Sequence, residues 1–188
     1  MSRVGLAPIT ISGNVSVSVD GNVVKVKGPL GELSQEIKNR AIEVKVEGNE
    51  LKLECKSPSK DAQAAHGLYR QLIANMIAGV EKAYEKKLIV YGVGYKASVQ
   101  GNKLVLSLGL AHNVELAIPE GIKCEAKEGD DKDKKTLEVK VSGISKERVG
   151  QFAAVIKSKR PVEPYHGYGI HYSDEVVIHK EGKTSGKK

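Results

Sequence analysis

The chain has 188 residues, room for one or two domains, and its 40% apolar and 28% charged content is ordinary for a folded globular protein. Aromatics make up only 4%, so any core must be aliphatic, and two cysteines, Cys55 and Cys124, are too few and too far apart for a disulfide framework or a zinc knuckle. Thirty Lys and Arg against 23 Asp and Glu leave a net charge of +7, which favours a polyanionic partner, while no apolar run approaches the roughly 20 residues that span a bilayer.

From the N-terminus, Met1-Ser-Arg-Val-Gly lacks an apolar stretch, so no secretory leader is expected and the compartment reads as cytoplasmic. Val-Asp-Gly-Asn at 19–22 leads an alternating run, Val24 and Val26, to Gly28, the pattern of a hairpin with Gly-Asn supplying positive-φ turn residues. Ile42, Val44 and Val46 alternate, as do Leu51, Leu53 and Cys55, which predicts strands with one buried and one wet face. The Cys55 thiol is expected to face inward. Ser59 then caps a helix whose stripe is Ala65, Leu68, Leu72, Ile73, Met76, Ile77 and Val80.

The second half repeats the plan. Leu88 and Val90 alternate, and Val-Gln-Gly-Asn at 99–102 leads Leu104 and Leu106 to Gly109. Leu137-Glu-Val-Lys-Val alternates, Ser145 opens a second helix, and Val149, Phe152, Ala153 and Ile156 form its apolar stripe. That helix must stop before Pro161. A third echo sets Tyr91-Gly-Val-Gly-Tyr95 against Tyr168-Gly-Ile-His-Tyr172. Offsets of 77 to 86 positions argue for duplication of one unit. The expected fold is therefore α+β: two tandem duplicated domains, each a mostly antiparallel sheet packed with one helix. Residues 1–82 form the first and 83–180 the second, with 181–188 as a basic disordered tail. The mixed-charge stretch 125–135 reads as a solvated hairpin tip.

Catalytic motifs are missing. There is no phosphate-binding Gly-x-x-x-x-Gly-Lys and no His-Glu-x-x-His, and Gly92-Val-Gly94 reads as a strand-end turn. The unusual chemistry lies at the C-terminal end, where residues 157–188 hold seven Lys or Arg against four acids. His166, His171, Asp174, Glu175 and His179 include zinc-type ligands, but their spacing matches no short metal motif. Nucleic-acid binding accounts for more of the same residues. Lys157, Lys159 and Arg160 form a basic knot, Pro161 and Pro164 stiffen the chain beyond it, glycines admit a phosphate to the backbone, and tyrosines stack on bases. A Tyr/Gly strand packing on the domain's own sheet is the competing reading.

Met1-Ser-Arg-Val-Gly, Pro8-Ile, Gly28-Pro-Leu-Gly, Gly67-Leu-Tyr-Arg-x-Leu-Ile-x-Asn-Met, Gly92-Val-Gly-Tyr and above all Lys159-Arg-Pro-Val-Glu-Pro-Tyr-x-Gly-x-Gly-Ile-x-Tyr-x-Asp-Glu-Val-Val closely resemble the bacterial large-subunit ribosomal protein six family, from residue 1 to about 183. The resemblance implies two similar α+β domains, no enzymatic activity, no cofactor and no membrane. It implies binding to large-subunit (23S) ribosomal RNA, chiefly through the C-terminal domain, near the sarcin-ricin loop. Neighbouring ribosomal proteins at the stalk base and the docking surface for elongation factors would lie close by.

The RNA-contacting segment of the family matches Lys157, Lys159, Arg160, Pro164, Tyr165, Gly167, Gly169 and Tyr172. Asp174 and Glu175 also match, as acids that orient Lys or Arg. His166, Tyr168, His171 and His179 stand where the family commonly has basic residues, and Leu6 and Ala111 where Lys and Ser are more usual. These departures weaken the permanent charge of the expected RNA face. With Lys180, and Lys183 from the basic tail, the expected RNA-binding set adds His166, Tyr168 and His171 to the matching residues. The competing classes are a nucleic-acid-binding protein acting outside the ribosome and a zinc-dependent enzyme using the tail histidines.

Overall fold

The computed structural model describes residues 3–128 and 136–183. The chain divides into two compact units, Met1–Tyr84 with Ile144–Lys146, and Glu85–Gly143 with Glu147–Lys188. The first holds a one-turn helix α1 (Arg3–Leu6), strands β1 (Ile9–Thr10), β2 (Ser16–Asp20), β3 (Val23–Gly28), β4 (Gly31–Glu36), β5 (Ile42–Glu47) and β6 (Glu50–Cys55), and helix α2 (Lys60–Glu81). The second holds β7 (Tyr84–Tyr91), β8 (Lys96–Gln100), β9 (Lys103–Ser107), β10 (Val114–Ala117), β11 (Ile122–Glu128), β12 (Thr136–Gly143), α3 (Lys146–Lys159) and β13 (Gly169–Tyr172).

Each unit shares its strands between two sheets. The first has a β2-β3-β4 meander and a β1-β6-β5 sheet; the second has β10-β9-β8 and β11-β12-β7-β13. The duplication is thus topological, because β7-β12-β11 repeats β1-β6-β5 and β8-β9-β10 repeats the meander. It extends to single hydrogen bonds: Ile37 N–H donates to the Asn22 carbonyl at 2.7 Å, and Ile118 N–H donates to the Asn102 carbonyl at 2.9 Å. Both hairpins turn through two residues, with Asp20 opposite Val23 and Gln100 opposite Lys103. Only the glycine of each Gly-Asn pair has positive φ, 60° at Gly21 and 58° at Gly101. Positive φ at the first turn position alone marks a type II′ turn, so the expectation that both residues take positive φ is corrected.

The third echo is not part of the repeat. Tyr91 and Gly169 face each other across the antiparallel β7–β13 pair, so both halves of the echo lie in the second unit. Gly92 begins the strand-end turn after β7.

In the first unit, α2 packs on β3, β4, β5 and β6. Ser59 caps it, its hydroxyl accepting from Ala62 N–H at 3.3 Å. The buried face is Ala62, His66, Tyr69, Ile73, Met76, Ile77 and Val80; it keeps Ile73, Met76, Ile77 and Val80 of the stripe read from the sequence, Ala65 and Leu72 pack at its margin, and Leu68 is 56% exposed. A histidine and a tyrosine serve in this core, each tied to the backbone by one polar atom, while the buried His66 Nδ1 has no hydrogen-bond partner among the described residues. His66 Nε2–H donates to the Leu53 carbonyl at 2.9 Å, and the Tyr69 hydroxyl accepts from Lys38 N–H at 3.0 Å.

In the second unit Leu88, Val90, Leu104, Leu106, Val139, Val141, Ala153, Ile156 and Ile170 have no exposed surface. Val149, Phe152, Ala153 and Ile156 all lie on the buried face of α3, and that helix ends at Lys159, two residues before Pro161. The tip of the hairpin expected at 125–135 lies largely outside the described residues, as do the last five residues of the tail.

Candidate nucleic-acid interface

The segment after α3 makes a loop and then a sheet edge. β13 adds to β7 at the end of the β11-β12-β7-β13 sheet, and its outward amides are occupied by the chain itself. Ile170 N–H donates to the Arg160 carbonyl at 2.9 Å, and Tyr172 N–H donates to the Glu175 carboxylate at 3.2 Å. An edge whose amides are taken does not recruit another strand. Between them, residues 163–168 close into a tight loop. Glu163 N–H donates to the Tyr168 carbonyl at 2.9 Å, and Gly167 N–H donates back to the Glu163 carbonyl at 3.0 Å. The backbone of the following segment lies against this loop, Lys180 N–H donating to the Pro164 carbonyl at 2.8 Å.

The glycines serve this closure. Gly167 and Gly169 are buried, so neither offers open backbone to a phosphate. At Gly169, φ is 144° and a Cβ would lie 2.6 Å from the Pro161 carbonyl oxygen, so only glycine lets β13 pass this closely under the loop. The loop shows to solvent Pro164, Tyr165 at 53% exposure, and His166.

The rings form an ordered series. The His166 ring is stacked on Tyr168, with centroids 5.6 Å apart and planes 9° from parallel, and Tyr168 lies 5.4 Å from Tyr91. Glu163 holds the exposed end: its carboxylate accepts from His166 Nδ1–H at 3.1 Å and 3.2 Å and from His166 N–H at 3.3 Å. His171 Nδ1–H donates to the Tyr172 carbonyl at 2.9 Å. Glu163 and Tyr91 escaped the sequence reading. The repeated Tyr91 and Tyr168 motifs were the available signal, because segments that pair across a sheet edge bring their aromatic residues together.

The charges fall into two groups. Lys157 is held by Glu175 at 2.6 Å, and its ammonium lies 4.9 Å from the centroid of the Tyr172 ring. Lys86 reaches the same ring at 5.3 Å and Asp174 at 3.5 Å. The Lys157 ammonium, helped by the Tyr172 amide, holds the Glu175 carboxyl below the ordinary carboxylate range. Lys157 and Tyr172 therefore sit in a charge-balanced cluster, and Asp174 and Glu175 hold lysines. By contrast, Lys159, Arg160, Lys180 and Lys183 join no ion pair among the described residues.

Other chemistry is limited. Among the described residues, no three His, Cys, Asp or Glu side chains converge into a metal site. Cys55 shares the face of the buried Leu51 and Leu53 as expected, but both cysteines are only half-buried. The Cys55 thiol donates to the Ser57 carbonyl at 3.1 Å, and burial pushes Cys124 up to about 11, so at neutral pH that group is a thiol and a poor nucleophile. No helix among the described residues is long and apolar enough to cross a membrane.

The family model described as "Ribosomal protein L6" matches residues 11–83 and again residues 91–173, one match in each unit. The chain is 48% identical over 185 residues to "Large ribosomal subunit protein uL6" of Alkaliphilus metalliredigens, covering 98% of this chain and 99% of that protein. It is 47% identical over 190 residues to the protein of the same name from Caldicellulosiruptor saccharolyticus, with both chains covered in full. "Large ribosomal subunit protein uL6c" of Spinacia oleracea is 46% identical over 187 residues, covering all of this chain and 82% of that protein. A doubled match on a doubled fold, with full-length relatives at nearly half identity, shows that the chain belongs to the ribosomal protein L6 family.

Proposed function

We propose that the protein binds large-subunit ribosomal RNA mainly through its second unit, with the segment from Lys157 to Lys183 as the contact surface. It is a structural constituent of the large ribosomal subunit and not an enzyme, as family membership entails. Its place is the cytoplasmic ribosome, near the sarcin-ricin loop and stalk base, beside neighbouring ribosomal proteins and the surface where elongation factors dock. That finer position rests on the resemblance of the Lys159–Val177 motif.

The observation that carries the RNA reading is the division of charge. Lys159, Arg160, Lys180 and Lys183 remain uncompensated among the described residues, around a loop already fixed by its own hydrogen bonds. Uncompensated cations on a rigid surface attract phosphate, and little ordering entropy is lost on docking. Lys157 and Tyr172 instead sit together in the cluster with Glu175, and the buried Gly167 and Gly169 set the backbone of the segment. Exposed Pro164 and Tyr165, with His166, Tyr168 and His171, form the rest of the candidate contact set.

The test is binding of the full chain to a large-subunit RNA transcript across a salt series. Replacing Lys159 and Arg160 together with alanine should weaken binding and flatten the log affinity–log salt slope by about 0.7–0.9 for each phosphate no longer neutralised. Unchanged affinity and slope would refute the charged surface. Crosslinking within assembled subunits tests the position, and crosslinks confined to RNA far from the sarcin-ricin loop would refute it.

A further inference from the structure

The ring series in the loop has an open end. Tyr91 and Tyr168 are half-buried, whereas the His166 side chain is 68% exposed, one face against Tyr168 and the other toward solvent. Its orientation is fixed before any partner arrives, because Glu163 grips both the ring Nδ1–H and the backbone N–H of His166. Tyr168 beneath it is in turn backed by Tyr91, which β7 places opposite Gly169.

A phosphate contact fits this geometry poorly. The proton-bearing Nδ1 already lies 3.1 Å from the Glu163 carboxylate, which compensates any positive charge on the ring and would repel a second anion. The ring instead offers a flat, polarisable face on a rigid support. Tyr165 is exposed on the same loop, and the backbones of Arg160 and Lys180 are tied to the segment. A planar aromatic face on a segment that also carries cations without ion-pair partners among the described residues suits a nucleobase.

We propose that an unpaired base of the bound RNA stacks on the solvent face of His166, as the fourth ring after Tyr91, Tyr168 and His166. The proposal rests on the RNA-binding reading above and adds the ligand class at this site. Glu163, Tyr168 and Tyr91 are positioning residues: they hold the platform without touching the base.

Stacking requires a ring, whereas a phosphate contact requires a charge. The full-length protein and its His166→Ala, His166→Phe and His166→Lys variants are titrated with the large-subunit RNA transcript at several salt concentrations. The Lys159→Ala/Arg160→Ala double variant runs alongside, and thermal melts confirm that each protein folds. His166→Ala should lose about fivefold or more in affinity, the low end for one base on one aromatic ring. His166→Phe should stay within about twofold of the parent, since it keeps the face, and His166→Lys should bind as weakly as His166→Ala at moderate salt. The salt slope should be the same for the parent, His166→Ala and His166→Phe, because no ion is released by a stack. An alanine variant that binds like the parent, or a lysine variant that retains affinity where phenylalanine loses it, overturns the stacking proposal while leaving the RNA reading standing. A parent protein indifferent to both the transcript and the Lys159/Arg160 replacement overturns both.

Discussion

The two units share one plan and differ in the chain that leaves the helix. In the first, α2 leads after Lys82 and Ala83 into the next unit; in the second, α3 leads into the loop and β13, which adds a fourth strand outside β7. Their surfaces differ to match. On the β5–β6 face the register sets like charges opposite each other, Glu43 against Glu54 and Lys45 against Lys52, an unfavourable arrangement taken alone. Each lysine instead reaches a diagonal acid, Lys45 to Glu54 at 2.7 Å, Lys52 to Glu47 at 2.9 Å and Lys56 to Glu43 at 2.9 Å. On that face every one of these lysines is held by an acid, whereas the segment after α3 carries cations with no such partners among the described residues. One scaffold thus serves twice for folding, and the segment after α3 adds a strand, a loop and unpaired charge.

The strongest test of that comparison asks whether the addition is part of the second unit's core or merely draped over it. Ile170 on β13 is fully buried, while Ile178 in the same segment is 79% exposed. Ile170→Ala should lower the unfolding free energy by about 2–5 kcal/mol, the usual cost of truncating a buried isoleucine. Ile178→Ala should stay within about 0.5 kcal/mol. Urea unfolding measures both, and equal small effects would mean that β13 is not integral to the fold.

The sequence carried the plan well and the tertiary choices less well. Alternation located Val24, Val26, Leu104 and Leu106, all fully buried, because period-two burial is a local property. It could not divide the strands between two sheets, since that depends on which strands pair. The α2 stripe missed His66 and Tyr69 because hydrophobicity undervalues polar side chains that can tie one buried atom to the backbone. For the candidate site, the composition of residues 157–172 marked a segment dense in charge and rings, but not which of its cations are paired. Whether a lysine such as Lys157 is spent on Glu175 is settled only when residues 18 positions apart meet. The third echo misled for a related reason: similar words suggested equivalent places, and they mark facing strands.

A smaller effect separates the helices. α2 runs 22 residues with a serine cap, while α3 runs 14 and carries Gly150 near its start. A Cβ at Gly150 would meet nothing within 4 Å. Gly150→Ala should therefore stabilise the protein by about 0.5–1 kcal/mol, through the lower entropy of the unfolded chain and better helix propensity. A loss of stability on thermal or urea unfolding would show that the helix needs glycine there for a reason other than room.

The smallest effect concerns the Lys157–Glu175 pair. The Glu175 carboxyl is held below its ordinary range, first by the Lys157 ammonium and then by the Tyr172 amide. A carboxyl with a depressed folded-state value contributes stability that is fully present above its unfolded value. That contribution is lost as pH falls from the ordinary glutamate range through the lowered folded value. The pair is partly in water, with side-chain exposures of 31% for Lys157 and 36% for Glu175, so screening keeps the contribution modest. Glu175→Gln keeps an acceptor for the Tyr172 amide but removes the charge. Unfolding measured from pH 7 to pH 3 should show the parent more stable than Glu175→Gln at neutral pH, with the gap closing through the acid range. A gap that does not change with pH would mean that the ion pair adds nothing to stability, and that Lys157 is as available to a phosphate as Lys159.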